Sequence, residues 1–237
     1  MTKVLIVDDH ALVAETLAVA LTSDDISVTT VDLEREDPVA VLAADNYDFC
    51  LLDLDWGTDI FAGVSLISTV CDSGATCLIL TGSLHEPLFG YCLELGAAGV
   101  VSKKVSFADL ARSVRAAIDG TAPNSDAERY RWLLEAHKAR DEHRKALEPF
   151  AELTKSEADV LVGLIDGETA ADVAASRFVA ISTVRTHVRQ VLRKLGVNSQ
   201  LAAVAMAREA GWPRGQSAVD TDSAPHLSSV LPSPRIA

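Results

Sequence analysis

Five polar side chains in the first half of the sequence stand at the ends of short apolar runs. Asp8 and Asp9 follow one run directly, and Asp53 follows the run 49–52. Thr81 and Lys103 come at the ends of two later runs. Clustered carboxylates repel one another, which favours a hard divalent cation with oxygen ligands, most naturally Mg²⁺. Such a cation neutralises phosphoryl oxygens and lets a carboxylate act as a nucleophile, while a hydroxyl and an ammonium contact the phosphoryl group.

The apolar runs alternate with segments of helical spacing over residues 1–120. We expect strands at residues 3–8, 26–31, 49–53, 76–82 and 99–103, each followed by a helix. Continuous apolar strands are typical of a parallel sheet covered by helices on both faces, so the pattern predicts a doubly wound, five-stranded, flavodoxin-like α/β domain. In such a sheet the strand ends share one edge, where ligands bind. The polar side chains at these ends are therefore expected to converge.

Composition and charge exclude several classes of protein. No apolar run reaches the roughly 18 residues of a membrane span, and no basic segment followed by an apolar one opens the chain. We therefore expect a cytoplasmic protein without a membrane partner. The net charge of −13 lies in residues 1–120, which hold 6 Lys and Arg against 19 Asp and Glu, so this half would repel nucleic acid. Four cysteines without CxxC spacing are expected to be buried, reduced thiols; they are Cys50, Cys71, Cys77 and Cys92.

Four motifs carry a resemblance in this half. They are "VLIVDDH", "LLDLD" around Asp53, "LILTG", which contains Thr81, and "GAAGVVSK", which ends in Lys103. In this order and spacing they are similar to the motifs of the receiver domain of bacterial response regulators, over residues 3–120. The resemblance implies that Asp53 accepts a phosphoryl group from a histidine kinase and that Thr81 and Lys103 sense it. It also implies a Mg²⁺ site, whose ligands are Asp8, Asp9, Asp53 and the backbone carbonyl of Asp55.

Two alternatives to a working receiver stay open. A haloacid-dehalogenase-like phosphatase would also use Asp53, but its motif places Thr four residues later, where this chain has Gly57, and Thr58 comes one residue too late. Such phosphatases resemble one another in placing further metal-binding acids after the nucleophile, whereas here the acid pair precedes it. The second alternative is a degenerate receiver that is never phosphorylated. Segment 56–63 lacks the Pro-Gly turn of receivers, and Val100 stands where many receivers have an aromatic switch residue.

Two segments, residues 121–149 and 213–237, have a distinctive composition. Residues 121–149 combine dense mixed charge with helix-forming residues, so we expect a charged helical linker with its helix at 124–148. This helix is expected to be either solvated or part of a dimer contact. Residues 213–237 are rich in Pro, Ser and Ala with little to bury, so we expect a disordered tail.

Residues 150–212 have helical periodicity alone. Thr154 and Glu157 have the spacing of a capping box that opens a helix, a short second helix is expected at about 169–176, and Ser182 is expected to cap a third. From 182 to 195 the third helix has four basic residues and no acidic residue. A short helix, a turn and a basic helix make a helix-turn-helix plan, in which the last helix enters the major groove of DNA.

The motif "ISTVRTHVRQVLRKLGV", supported by "LTKSEADVL", closely resembles the LuxR-type helix-turn-helix domain. The resemblance implies base-facing residues, which are Arg185, Thr186 and Arg189. It implies phosphate contacts, which position the protein without specifying sequence and come from Ser182, Thr183, Arg193 and Lys194. It also implies a dimer face on the fourth helix, formed by Leu201, Val204 and Ala205.

A receiver followed by this small all-α domain is the architecture of NarL/FixJ-type response regulators. The resemblance implies a transcription factor rather than an enzyme with turnover, whose DNA binding responds to phosphorylation of Asp53 by a partner histidine kinase. It implies a homodimer in the active state on a two-fold operator, with RNA polymerase as a candidate further partner. The alternative is an orphan regulator that binds DNA independently of phosphorylation.

Overall fold

The computed structural model of the chain describes residues 1–56 and 60–213, without the side chains of residues 60–62. It divides into two compact units, the first covering Met1–His137 and the second starting at Lys138. The tail expected at 213–237 lies outside the described residues except for Pro213, and so does the middle of segment 56–63.

The first unit is a five-stranded parallel sheet with helices between the strands, as the sequence predicted. Its strands are β1 (Thr2–Val7), β2 (Ile26–Val31), β3 (Phe49–Asp53), β4 (Thr76–Thr81) and β5 (Gly99–Ser102). Its helices are α1 (Ala11–Leu21), α2 (Pro38–Ala44), α3 (Ile60–Asp72), α4 (Glu86–Glu94) and α5 (Phe107–Ile118). The strand order β2-β1-β3-β4-β5 places β1 and β3 side by side at the centre, where the order reverses.

The apolar strands bury both of their faces, which explains why they read as continuous runs. All five residues of β3 are buried. Alternate residues of a strand point to opposite faces, so Val4 and Ile6 of β1 share one face, where they pack in a cluster with Leu17 of α1 and Val114 of α5. This packing fixes the positions of the strand ends. It therefore also fixes the positions of the polar residues that follow them.

A long helix, α6 (Asp126–Ala151), confirms the helix expected at 124–148. One side of its first part is packed against other residues of the first unit, while its other side is exposed. Trp132 is buried and its ring meets that of Phe89 edge to face, with centroids 5.2 Å apart. Gly90 of α4 permits this approach, because a Cβ there would collide with the Trp132 carbonyl. Burial of the large apolar side chain of Trp132 therefore holds this part of α6 in place, although most of the neighbouring residues in the sequence are charged or polar.

The second unit is helical, with α7 (Lys155–Ile165), α8 (Ala170–Ser176), α9 (Ile181–Leu195) and α10 (Gln200–Glu209). The capping box of Thr154 and Glu157 is present as predicted. The expected cap of α9 is wrong, because the helix begins at Ile181 with Ala180 as its N-cap, so Ser182 lies inside the first turn. A positive φ of 55° at Phe178 turns the chain between α8 and α9.

Candidate functional site

Asp8, Asp53 and Lys103 meet at the carboxyl edge of the sheet. Asp8 follows β1, Asp53 ends β3, and Lys103 follows β5, so three strands position them. Lys103 Nζ lies 2.6 Å from Asp8 Oδ2 and 2.8 Å from Asp53 Oδ2. Both carboxylates are almost fully buried, with 3% of Asp8 and 1% of Asp53 exposed. One ammonium therefore contacts two buried carboxylates, which leaves the site with net negative charge.

The carboxylates form a group that suits a hard cation. One ligand atom each from Asp8, Asp9, His10 and Asp53 lies within 4.8 Å of the others. Although Lys103 Nζ is close, Asp8 Oδ2 and Asp53 Oδ2 receive no well-aligned hydrogen bond from any described residue. Buried oxygens without hydrogen bonds are the ligands that a divalent cation would satisfy, so the donor set fits Mg²⁺. A role for the backbone carbonyl of Asp55 stays a prediction.

Burial alters the ionisation of Asp53. It raises the pKa of this carboxyl to about 6, and the Asp8 carboxylate acts in the same direction, while the Lys103 ammonium opposes both. The Leu54 N–H donates to Asp53 Oδ1 at 2.9 Å, so one oxygen is held by the backbone and the other faces Lys103. Near neutral pH the carboxylate is ionised and poorly solvated, as a nucleophile requires.

Thr81 lies at the same edge, at the end of the neighbouring strand β4. It is fully buried, and its Oγ1 accepts a hydrogen bond from the Ser83 N–H at 3.0 Å. Its carbonyl accepts a hydrogen bond from the Lys103 N–H at 2.9 Å, which joins the two residues expected to sense a phosphoryl group. The structure thus places Asp53, Thr81 and Lys103 at the ends of three adjacent strands, β3, β4 and β5.

His10 also belongs to this acidic group. Its Nδ1 lies 2.7 Å from Asp9 Oδ1 and 3.4 Å from Asp8 Oδ1, and 65% of its side chain is exposed. The His10 N–H also donates to Asp8 Oδ1 at 2.9 Å, which helps to orient that carboxylate. The signal for this in the sequence is that His10 comes directly after Asp8 and Asp9.

The loop after Asp53 contacts it through described residues at both of its ends. Trp56 Nε1 donates to the Asp53 carbonyl at 3.0 Å. Gly63 of α3 packs against the same carbonyl and against Leu54, and a Cβ at this position would collide with both. This close packing is a physical reason for glycine at position 63.

Asn124 holds Val100, the residue at the position of the absent aromatic. Its Oδ1 accepts from the Val100 N–H at 2.7 Å, and its Nδ2 donates to the Val100 carbonyl at 2.8 Å. The two bonds pair the backbone N–H and C=O of Val100 on the outer edge of β5, a strand with one neighbour in the sheet. No local sequence pattern marked Asn124.

Helix α9 presents its basic residues on an exposed face. The buried residues of this helix are Val184, Val188, Val191 and Leu195. The residues expected to face bases or phosphates are exposed with one exception; the exposed ones are Ser182, Thr183, Arg185, Thr186, Arg189 and Arg193. Helix α9 contains no acidic residue, so the only charges on its exposed face are the positive ones of Arg185, Arg189 and Arg193.

Lys194 is the exception, because it is bound within the second unit. Its Nζ donates to Glu157 Oε2 at 2.6 Å and to the Glu152 carbonyl at 2.9 Å. Glu157 is 3% exposed, and burial opposes its ionisation, but hydrogen bonds from Lys194 and from Thr154 outweigh burial and lower its pKa to about 2. Lys194 therefore ties α9 to the capping box of α7.

The expected dimer face on α10 is divided between solvent and core. Leu201 is 79% exposed and Ala205 is exposed one turn later, so they form an apolar pair on the surface. Val204 is partly buried and packs against the cluster that includes Val173 and Val188. The exposed part of this face thus consists of Leu201 and Ala205.

Comparisons with known proteins match both units. A family model described as the response regulator receiver domain matches residues 4–115, and one described as bacterial regulatory proteins of the luxR family matches residues 151–207. Transcriptional regulatory protein LiaR of Bacillus subtilis is 28% identical and aligns over 87% of this chain and 97% of its own length. Nitrate/nitrite response regulator protein NarP of Escherichia coli is 29% identical, and the alignment covers 85% of this chain and 92% of NarP.

A solved structure of full-length FixJ from B. japonicum is similar to this chain, with 23% sequence identity. The alignment covers 89% of this chain and 97% of the FixJ chain, and the TM-score is 0.40. Among the residues that the structure describes, no helix is both long and apolar enough to cross a membrane.

Proposed function

Since the chain belongs to the NarL/FixJ-type response regulators, with a receiver and a LuxR-type DNA-binding domain, we propose that phosphorylation of Asp53 controls its binding to DNA. The observation that carries the proposal is the buried contact of Lys103 Nζ with both Asp53 and Asp8. A histidine kinase is the partner that supplies the phosphoryl group. Domain boundaries near residues 120 and 150 follow from the same proposal.

Phosphoryl transfer to Asp53 uses groups that are already in place. A carboxylate oxygen of Asp53 attacks phosphorus, the P–O bond forms, and the P–N bond to the kinase histidine breaks. The Leu54 N–H holds Asp53 Oδ1 at 2.9 Å, and Lys103 Nζ lies 2.8 Å from Oδ2, so the carboxylate is fixed for the attack. Lys103 then pairs with a phosphoryl oxygen, and the Thr81 hydroxyl is the second group expected to contact one.

We propose that Mg²⁺ is the cation of this site. Asp8, Asp9 and Asp53 would hold it with the backbone carbonyl of Asp55, and when bound it supplies charge neutralisation at the phosphoryl oxygens. Asp8 is buried and Asp9 is at the surface, so one carboxylate is fixed by packing and the other is open to solvent.

We propose that α9 reads DNA through Arg185, Thr186 and Arg189, with phosphate contacts from Ser182, Thr183, Arg193 and Lys194. A homodimer through α10, at Leu201, Val204 and Ala205, would place two recognition helices on a two-fold operator. The exposure of Leu201 supports such a face, because an isolated Leu at 79% exposure gains from burial against a second copy. RNA polymerase is a further candidate partner, and the output is control of transcription rather than turnover.

The phosphorylation proposal is tested by intact mass. The full chain is incubated with Mg²⁺ and acetyl phosphate, next to Asp53→Asn and to the matched control Asp55→Asn, which keeps the backbone carbonyl. We expect the parent and the control to gain one phosphoryl group and Asp53→Asn to gain none. An unmodified parent would instead favour the orphan regulator, and continuous release of phosphate from simple phosphate monoesters would favour a phosphatase.

The DNA proposal is tested with sequences selected by the full chain from a random pool. Arg189→Ala is expected to relax preference at one base position per half-site. Arg193→Ala is expected to weaken binding to all sequences alike and to reduce the salt slope by about one. It is a cleaner phosphate test than Lys194→Ala, because Lys194 also supports the fold of the unit. Unchanged binding in both variants would show that another surface contacts DNA.

A further inference from the structure

Two large apolar side chains are exposed where the chain turns from α8 into α9. Phe178 lies in the turn and is 97% exposed, and Ile181, the first residue of α9, is 44% exposed. Neither belongs to the buried apolar clusters that the described residues of the second unit form. Because large apolar side chains gain free energy when they leave water, both residues would be stabilised by a partner surface.

The backbone at residue 178 favours glycine over phenylalanine. The Val179 N–H donates to the Ala174 carbonyl at 3.0 Å and the Phe178 N–H to the Ala175 carbonyl at 3.3 Å, so α8 ends in a Schellman motif. This motif places Phe178 in the left-handed region, with a φ of 55°, where glycine has no steric cost. The fold of the unit therefore does not explain an exposed Phe here, whereas a contact outside the unit would.

Ile181 shares a face of α9 with the residues proposed to read bases. Residues four apart lie on the same side of a helix, so Ile181, Arg185 and Arg189 form one row, and all three are exposed. The two arginines supply hydrogen-bond donors, and Ile181 is the apolar member of the row. It stands at the N-terminal end, whose residues contact base edges in helix-turn-helix proteins.

The chemistry of the row selects the kind of partner. The positive charge of Arg185 and Arg189 favours a polyanionic duplex over an apolar protein surface. The apolar group that a base edge presents in the major groove is the 5-methyl group of thymine. At any other base an apolar side chain would remove water from hydrogen-bonding groups without replacing the lost bonds.

We propose that Ile181 and Phe178 form an apolar contact with the 5-methyl group of a thymine, which makes thymine the preferred base at one position of each half-site. This inference rests on the proposed binding of DNA by α9. It adds one identified base and two residues that make no hydrogen bond to the bases through their side chains. The burial of one methyl group corresponds to a factor of about four in affinity.

The experiment compares thymine with uracil, which lacks only the 5-methyl group. The duplex is one that the full chain selects from a random pool, and each thymine of the half-site is replaced in turn by deoxyuridine. We expect the affinity of the parent to fall about fourfold at one thymine and to change little at the others. Ile181→Ala and Phe178→Ala are each expected to bring the ratio of the two affinities at that thymine closer to one.

Two control variants separate this contact from a general loss of binding. Arg193→Ala is expected to weaken binding to both duplexes and to keep the parent ratio, since a phosphate contact does not depend on the methyl group. Val19→Ala truncates an exposed apolar side chain of the first unit and is expected to change neither affinity nor ratio. Circular dichroism checks that each variant is folded, and the replaced side chains at 178 and 181 are outside the core.

A parent that selects a sequence but binds the thymine and uracil duplexes equally at every position would overturn this inference and leave the DNA proposal intact. A thymine preference that both Ala variants retain would also overturn it. Variants that bind both duplexes as the parent does but fail to regulate transcription would show that the surface contacts a protein instead. A parent that selects no sequence would refute the DNA proposal itself, and this inference with it.

Discussion

Replacing Glu157 with Gln is expected to destabilise the second unit, by an amount that depends on pH. Glu157 is 3% exposed and accepts a hydrogen bond from Lys194 Nζ at 2.6 Å. Gln retains an oxygen that can accept from the Thr154 N–H, so the substitution removes the charge but keeps the capping box. The variant therefore isolates the ion pair from the local helix signal.

The magnitude follows from the pKa of Glu157. Burial favours the neutral acid, but the bonds from Lys194 and Thr154 lower the pKa from 4.5 to about 2. A carboxyl whose pKa is lower in the folded state stabilises the fold above its unfolded pKa, and this stability is lost as pH falls through the folded pKa. At about 1.4 kcal/mol per pKa unit this is about 3 kcal/mol near neutral pH, of which about 2 kcal/mol disappears between about pH 5 and pH 3.

Urea unfolding measures this loss of stability, provided that the fluorescence signal comes from the second unit alone. Replacing Trp56 and Trp132 with Phe leaves Trp212, which stacks on Phe150 at a centroid distance of 5.2 Å, as the fluorescent reporter. We expect the difference in unfolding free energy between the parent and Glu157→Gln to shrink by about 2 kcal/mol from about pH 5 to pH 3.

The matched control is Glu152→Gln, which neutralises an exposed carboxylate and keeps the backbone carbonyl that accepts from Lys194. It is expected to show a small difference from the parent that is the same at both pH values. A Glu157→Gln variant as stable as its parent near neutral pH, or a difference independent of pH, would refute the assignment of this stability to the ion pair.

Three further changes test the packing of the two units by thermal unfolding. Gly90→Ala is expected to destabilise the first unit by about 2 kcal/mol, since its Cβ meets a backbone carbonyl, whereas Gly82→Ala, with no described atom within 4 Å, is expected to change little. Asn124→Ala leaves both polar backbone groups of Val100 unpaired and is expected to cost about 2 kcal/mol and to speed amide exchange in β5. Phe178→Gly is expected to stabilise the second unit by about 1 kcal/mol. Phe178 has a φ of 55°, which is unfavourable for residues with a Cβ, and its side chain is 97% exposed, so little packing is lost. A lower melting temperature of this variant would contradict the expectation.

The elements that carry the acidic site were predictable because their signal is local. A continuous apolar run gives a buried parallel strand, and the residue after it must lie at the sheet edge. Asp8, Asp53 and Thr81 follow this logic, and the structure places each of them at that edge. The buried stripe of α9 was predictable for the same reason, since helical spacing alone decides which residues share a face.

Contacts between distant segments were not predictable in this way. The composition of α6 indicated a charged helix, yet Trp132 packs on Phe89 of another helix. Lys194 belongs to a basic helix in the sequence, but its partner is Glu157, 37 residues earlier. Asn124 pairs with Val100 from a segment without regular structure.

The sequence by itself determined which residues form strands and helices, and which polar groups stand at their ends. The tertiary structure decided how each of these groups is used, because hydrogen bonding and burial depend on what the fold brings within about 3 Å. Asp53 shows the division. Its place at the end of an apolar run is a property of the sequence. Its raised pKa comes from burial in the assembled sheet, where Asp8 and Lys103, which follow two other strands, adjust that pKa.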